Sequence, residues 1–226
     1  EAEAIRRTAR EHIRTPRRSG ERFHLVVVGG GYTGFETASH LAHFLRRQTH
    51  LPWDRLSELA RVYVLEAMPN VLTMIPKTVA DWSTDQIERT DITIRTNVTA
   101  EEFIAPGVLR LTDGSTMANA LVVWAAGVTP GPVFAELDIP KVSAGRLAVD
   151  EHLRLVGRER VFAAGDLAGP TPPGQDKPLR MSVQFSRVGG MVAGRNVLAS
   201  IDGRLLERFD PLDLGYVVPL AHGLGV

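Results

Sequence analysis

Leu25-Val26-Val27-Val28-Gly29-Gly30-Gly31-Tyr32-Thr33-Gly34-Phe35-Glu36 is the stretch that decides the fold. Four apolar residues, three of them β-branched, predict a strand buried on both faces, as in a parallel sheet. G-x-G-x-x-G follows directly on Gly29, Gly31 and Gly34, and Phe35, Ala38, Leu41, Ala42 and Leu45 then recur at helical spacing. Each glycine meets a separate demand. Gly29 permits the tight turn, Gly31 lets a pyrophosphate approach the backbone, and Gly34 lets the helix pack closely on the strand. Gly30, Tyr32 and Thr33 complete the turn. The helix start points unpaired N–H groups and a positive dipole end at a diphosphate. Glycine-rich turns are common, so the motif takes its weight from the strand before it and the helix after it.

Outward from this core, Arg61-Val62-Tyr63-Val64-Leu65 reads as the next strand and ends on Glu66. An acidic residue at that tip accepts hydrogen bonds from an adenosine ribose and repels a 2′-phosphate, so NADH is expected over NADPH. The alternative is an ordinary surface glutamate. The Gly31-to-Glu66 spacing exceeds the usual ~20 residues, and Gln48 to Leu59, with Pro52 and Trp53, supplies the insertion. Pro76 opens a second helical stretch over Val79–Thr90, with Val79, Trp82 and Ile87 as its apolar side, and Ile92–Asn97 reads as a third strand. Val108–Thr112 with Asp113-Gly114 reads as a hairpin. Ala120–Gly127 is another buried strand, ending on Ala125, Ala126 and Gly127, where a ligand or a crossing backbone has room.

Pro130–Pro132 marks the expected domain boundary. Beyond it, Arg146–Asp150 and Arg160–Asp166 read as short strands, the second ending on Gly165-Asp166. A carboxylate at a strand end suits a ligand hydroxyl, and equally suits a turn or a helix cap. Met181–Ala199 reads as a helix with Val183, Val188, Val192 and Val197 on its apolar side, and the Gly189-Gly190 pair within it implies close packing or a ligand. Short strands and turns follow from Phe209. The expected organisation is a connecting helix and linker over 1–20, an α/β nucleotide-binding domain over 21–130 and a second part over 131–226.

The N-terminal helix carries Ala4, Ile5, Ala9 and Ile13 among charges and reads as exposed or interdomain. Arg6, Arg7, Arg10, Arg14, Arg17, Arg18 and Arg22 cluster there, interleaved with Glu1, Glu3, Glu11 and Glu21, and Pro16–Gly20 breaks the helix. The chain of 226 residues holds 26 basic and 26 acidic side chains, so no bulk field recruits nucleic acid or a membrane. It has no cysteine, which removes disulfides, thiolate nucleophiles and thiolate metal sites. His40 and His43 share a helix face without an evident third ligand, and no metal is expected. No run reaches the ~18 apolar residues of a membrane span, and no signal peptide is read.

Three stretches taken together resemble a known family: Val28 to Glu36, Val123-Trp124-Ala125-Ala126-Gly127-Val128, and Val161-Phe162-Ala163-Ala164-Gly165-Asp166. In this order they resemble the flavoprotein reductases of the pyridine nucleotide-disulfide oxidoreductase fold. Trp124 to Val128 and the Phe209…Asp213-Leu214-Gly215 tail are most similar to type II NADH dehydrogenases. The resemblance implies an α/β fold, with a Rossmann-like NADH domain carrying a β-hairpin insertion, itself inserted in a partial FAD domain. The N-terminal FAD glycine motif is expected to precede this chain. By the same resemblance Gly165 and Asp166 match the FAD-binding motif, Ala126 and Gly127 the crossover between domains, and Val183 the helix start beside the flavin. Glu36 matches a glutamate near the nicotinamide and flavin rings; read from its position alone, it is a first-turn carboxylate favoured by the helix dipole.

FAD and NADH are the implied cofactors, with hydride passing from NADH to flavin and on to a small-molecule acceptor. A quinone is one candidate, although Ser182-Val183 and Arg187 stand where quinone-reducing members tend to carry Ala-Gln and a second Gln. The alternatives are a nicotinamide-nucleotide binding module without turnover and a ferredoxin- or rubredoxin-type reductase with a protein acceptor. The resemblance implies a cytoplasmic protein, and leaves open a homodimer and peripheral contact of the parent with the inner membrane face.

Overall fold

The computed structural model describes residues 2–14, 21–221 and 224–225. The Pro16–Gly20 break, with Arg17 and Arg18, lies outside the described residues, as does Glu1. The chain divides into two compact units, Glu1–Gly127 with Tyr216–Val226, and Val128–Gly215.

The first unit is built on a four-stranded parallel sheet. In chain order its elements are α1 (Ala2–Arg14), β1 (Phe23–Val28), α2 (Tyr32–Thr49), α3 (Trp53–Leu59), β2 (Ala60–Glu66), α4 (Lys77–Glu88), β3 (Ile92–Thr96), β4 (Ala100–Ala105), β5 (Val108–Leu111), β6 (Thr116–Met117) and β7 (Ala120–Trp124). The sheet order is β3-β2-β1-β7, which puts β1 in the middle with a partner on each side. Side-chain alternation along β1 then feeds two cores. Leu25 and Val27 point into one with Phe35, Ala38, Leu41, Ala42 and Leu45 of α2. Val26 and Val28 point into the other, with Leu109, Leu111 and Met117 of an antiparallel meander. One face of the sheet is therefore covered by helices and the opposite face by strands.

Several expectations change here. The hairpin is a three-stranded meander, β4-β5-β6. β4 escapes the periodicity because its residues from Glu101 to Ala105 are exposed on both faces. On α4 the buried residues are Ala80, Ser83 and Ile87, while Trp82 is 43% exposed. The inserted segment Gln48–Leu59 holds the end of α2 and the whole of α3, whose Leu56 is buried. The stripe of α1 is not free: Ala9 is fully buried, Ile5 and Ile13 pack on the helical core, and the His12 ring stacks on Phe23 at 4.7 Å. The tail returns to this unit as well. Val218 and Leu220 join the core, the Ala221 N–H donates to Ser39 Oγ at 2.9 Å, and β10 (Pro219–Leu220) pairs with β11 (Leu224–Gly225), two labels that follow the elements of the second unit in chain order.

The second unit holds α5 (Pro132–Ala135), the parallel pair β8 (Leu147–Val149) and β9 (Ala168–Pro170), and α6 (Val183–Ile201). The strand expected over Arg160–Asp166 does not form. Its hydrogen bonds go to a nearby turn (Leu155 N to Val161 O, 2.8 Å; Ala163 N to Leu153 O, 3.0 Å), and Gly165–Leu167 is a turn of 3-10 helix. The paired strand, β9, comes after Asp166 instead of before it. α6 buries Phe185, Gly189, Val192, Ala193, Asn196 and Ala199, while Val183 and Val197 are exposed. Asn196 is buried with its amide satisfied, donating to His152 O and Glu207 O and accepting from Glu207 N. Arg146 is 5% exposed and donates to Leu179 O at 2.6 Å and to Ala168 O, bracing both strands. Burial pushes its pKa down, against the opposing pull of the Asp166 carboxylate.

Candidate functional site

β1, β2 and β7 end in register, with Val28 opposite both Leu65 and Trp124. The backbone that follows each strand, Gly29–Gly31, Glu66–Met68 and Ala125–Gly127, therefore collects at the carboxyl edge of the sheet, where α/β folds bind ligands. With the segment up to Met74 these residues enclose an open cleft of about 410 Å³. That volume lies within the usual range for small-molecule sites.

The glycine turn fits this edge for steric reasons. Gly29 has φ +114°, and a Cβ there would overlap the backbone of Ala125. A Cβ on Gly34 would overlap the Gly29 carbonyl, so α2 lies against the turn at a distance only glycine allows. Gly31 is different: a Cβ there would meet nothing within 4 Å. It is the N-cap of α2 and supplies no side-chain cap, so the start of the helix faces the cleft with its dipole exposed. Tyr32 and Thr33 line the same cleft, and the Tyr32 ring stacks on Tyr216 at 5.6 Å.

Glu66 is in the cleft and fully engaged with backbone. Its Oε2 accepts from Gly30 N at 2.7 Å and its Oε1 from Met68 N at 2.8 Å. Sequence reasoning missed the rest of this wall: Asn70, Leu72, Thr73, Met74 and Thr99 also line the cleft. They belong to irregular backbone with no periodicity to read; the Pro69-Asn70 turn pair is the only local signal. Glu36 is not among the cleft residues. It is exposed on α2, in a broad depression shared with Arg6, Arg10 and His40. The His40 Nδ1 lies 2.9 Å from the Glu36 carbonyl oxygen, and His43 is buried. Among the described residues no group of three or more His, Asp or Glu side chains is placed to hold a metal ion.

In the second unit, Gly165, Asp166 and the start of α6 come together. The Ser186 hydroxyl donates to Asp166 Oδ1 at 3.2 Å, and Ser182 caps α6 by accepting from Phe185 N at 3.3 Å. The crevice beside them measures about 10 Å³, which is room for one water. Val183, at the helix start, is 85% exposed. Beside it Arg180 grips the Asp213-Leu214-Gly215 turn, donating to both Asp213 oxygens and, at 2.7 Å, to Gly215 O. These bonds, with further ones from Gly215 N and Gln184, lower the Asp213 pKa to about 2. Among the described residues no helix is long and apolar enough to cross a membrane.

A family model described as pyridine nucleotide-disulphide oxidoreductase matches residues 1–188. The chain belongs to that family. It is 32% identical over 202 residues to an NADH dehydrogenase-like protein of Mycobacterium tuberculosis, covering 84% of this chain and 48% of that one. It is 31% identical over 146 residues to an internal alternative NAD(P)H-ubiquinone oxidoreductase of Solanum tuberosum mitochondria, covering 65% of this chain and 29% of that one. It thus spans about half the length of the first relative and under a third of the second. A NAD-dependent persulfide reductase from A. fulgidus superimposes with a TM-score of 0.69 at 21% identity, covering 98% of this chain and 37% of that structure. The likeness is one of fold, a Rossmann-like α/β arrangement.

Proposed function

We propose that the first unit binds NADH in the cleft at the carboxyl edge of its sheet, and that the parent protein is an FAD-dependent NADH oxidoreductase. One observation carries the reading. The turn is jammed wherever a side chain would face protein, at Gly29, Gly30 and Gly34, and open at Gly31, where the uncapped helix α2 begins. That shape fits a diphosphate held by backbone N–H groups. Ala126 and Gly127 keep the opposite wall free of bulk, and Glu66 stands where a ribose hydroxyl is read. The names of both curated relatives support a nicotinamide substrate.

The flavin, when bound, supplies hydride acceptance from nicotinamide and two-electron delivery to an acceptor. From this chain, Asp166 and the start of α6 at Val183 would form one polar edge of its site. The crevice there has room for one water and for no ring system, so this edge fits a hydroxylated or anionic part of the group and nothing larger. Glu36, exposed on α2, is proposed to face the ring region. The acceptor is proposed to be a small molecule, with a quinone the candidate that the name of the Solanum tuberosum relative favours. On the same crevice rests a second reading for the isolated chain: it binds the nicotinamide nucleotide without turnover.

Equilibrium binding of NADH, NADPH and FAD to the 226-residue chain tests both. Tight NADH, weaker NADPH and little FAD is the expected pattern. A folded chain with no nicotinamide binding would sink the assignment.

A further inference from the structure

We infer that Glu66 positions the diphosphate-binding turn, in addition to any part it has in reading ribose hydroxyls. The inference rests on the reading of the cleft as a dinucleotide site. Gly30 is the residue between the jammed Gly29 and the open Gly31, and both polar groups of its backbone are taken by the segment after β2. Its N–H donates to Glu66 Oε2 at 2.7 Å, and its carbonyl accepts from Leu72 N at 2.8 Å. The other Glu66 oxygen holds Met68 N at 2.8 Å. A Cβ on Gly30 would stand 2.6 Å from Val71 Cγ1 and 3.0 Å from Glu66 Cβ, so these residues interlock.

Leu72 supports the same conclusion. It has φ +50°, a left-handed conformation unfavourable to a leucine, and is 3% exposed. Such a conformation persists where the surroundings over-determine it, here through a buried side chain and the bond to Gly30. The turn and the 66–72 segment therefore form one rigid body. The direction in which Gly31 and the start of α2 present their N–H groups depends on the Glu66 clamp. A carboxylate beside phosphates is repulsive in itself. Its two backbone bonds offset that, and each oxygen keeps a lone pair for a ribose hydroxyl.

The ratio of ADP to adenosine affinity isolates this role, because a ribose contact is common to both ligands and cancels. Glu66→Gln keeps one acceptor and turns an NH₂ toward the other backbone donor. Glu66→Asp keeps the charge but is one methylene too short to span Gly30 N and Met68 N. Calorimetric or NMR titration of the 226-residue chain is expected to show the ADP-to-adenosine ratio falling roughly 5- to 30-fold in both variants, the factor set by one donor left unpaired. Melting temperatures recorded in parallel show that each variant is folded. If either folded variant keeps the wild-type ratio while its NADH/NADPH preference shifts, Glu66 is a ribose reader only and the inference fails. If the wild-type chain binds neither ADP nor NADH, the reading of the cleft fails first.

Discussion

Gly31→Ala separates ligand binding from folding at the candidate site. Gly31 has φ −83° and ψ −172°, an extended conformation open to any residue, and its added Cβ would meet nothing within 4 Å. Two small effects on stability oppose each other. Removing glycine's freedom from the unfolded chain stabilises by about 0.4–1 kcal/mol. Alanine is a poorer N-cap than glycine by a comparable amount, about 0.5–1 kcal/mol. The net change lies within about 1 kcal/mol of zero, which for a chain of this length is a shift of roughly 4 °C or less. Binding should respond quite differently. The methyl occupies the space through which a diphosphate reaches the backbone, and forcing an extra carbon into a tight contact costs about 1–3 kcal/mol. That corresponds to roughly a 5- to 150-fold loss of NADH affinity. NADH fluorescence titration and a thermal melt on the same sample give both numbers. Wild-type affinity with an unchanged melt would mean that no ligand approaches the backbone at Gly31. A fall of more than about 10 °C would mean that the position is not open, contrary to the geometry.

Gly34→Ala should behave in the opposite sense, because its Cβ would overlap the Gly29 carbonyl, a backbone atom that cannot rotate away. A loss of at least about 1–3 kcal/mol is expected, read as a lower melting temperature even without ligand. Arg146→Met keeps an apolar stem but removes the donor to the buried Ala168 carbonyl. Melting should report a loss of about 1–3 kcal/mol, while NADH titration of the folded variant stays at the wild-type value. The Asp213 carboxyl has its pKa lowered from 3.8 to about 2 in the folded chain. Its contribution is therefore full above the unfolded value and lost as pH falls through about 2. Asp213→Asn should melt below wild type at pH 7, and the two curves should converge near the lower value. An equal gap at both ends of the pH range would rule out the Arg180 pair as its source.

The parts of the fold legible in the sequence are those whose constraint is local. Leu25 to Val28 had to be buried on both faces, and the two cores that share this strand are the reason. The glycine turn was legible because the atoms that exclude a Cβ sit at fixed places in any strand–turn–helix, above all the Gly29 carbonyl under Gly34. β4 was not legible, since a strand exposed on both faces carries no alternation. Arg160 to Asp166 misled for the converse reason: it has strand-like composition, but its partners are in the 153–155 turn and not in a sheet. The cleft wall from Asn70 to Met74 and Thr99 could not be read, because it is assembled by hydrogen bonds between distant backbone, such as Val98 N to Glu66 O.

The two nominated glutamates illustrate what position in the sequence leaves undecided. Glu66 ends β2, whereas Glu36, expected in the first turn of its helix, lies past the first turn of α2, which begins at Tyr32 and has no acidic residue there. Glu66 lies inside the cleft and spends both oxygens on backbone N–H groups, so any change to it alters the shape of the turn before it alters contact with a ligand. Glu36 is exposed on α2 outside the cleft wall, in the depression with Arg6, Arg10 and His40. Its loss should therefore leave NADH affinity of this chain intact and register only where electrons move. A Glu36→Gln variant that weakens NADH binding to the same degree as Glu66→Gln would contradict this division. Binding would then have to extend along α2 well past the turn, and the cleft at the sheet edge would be only part of the site.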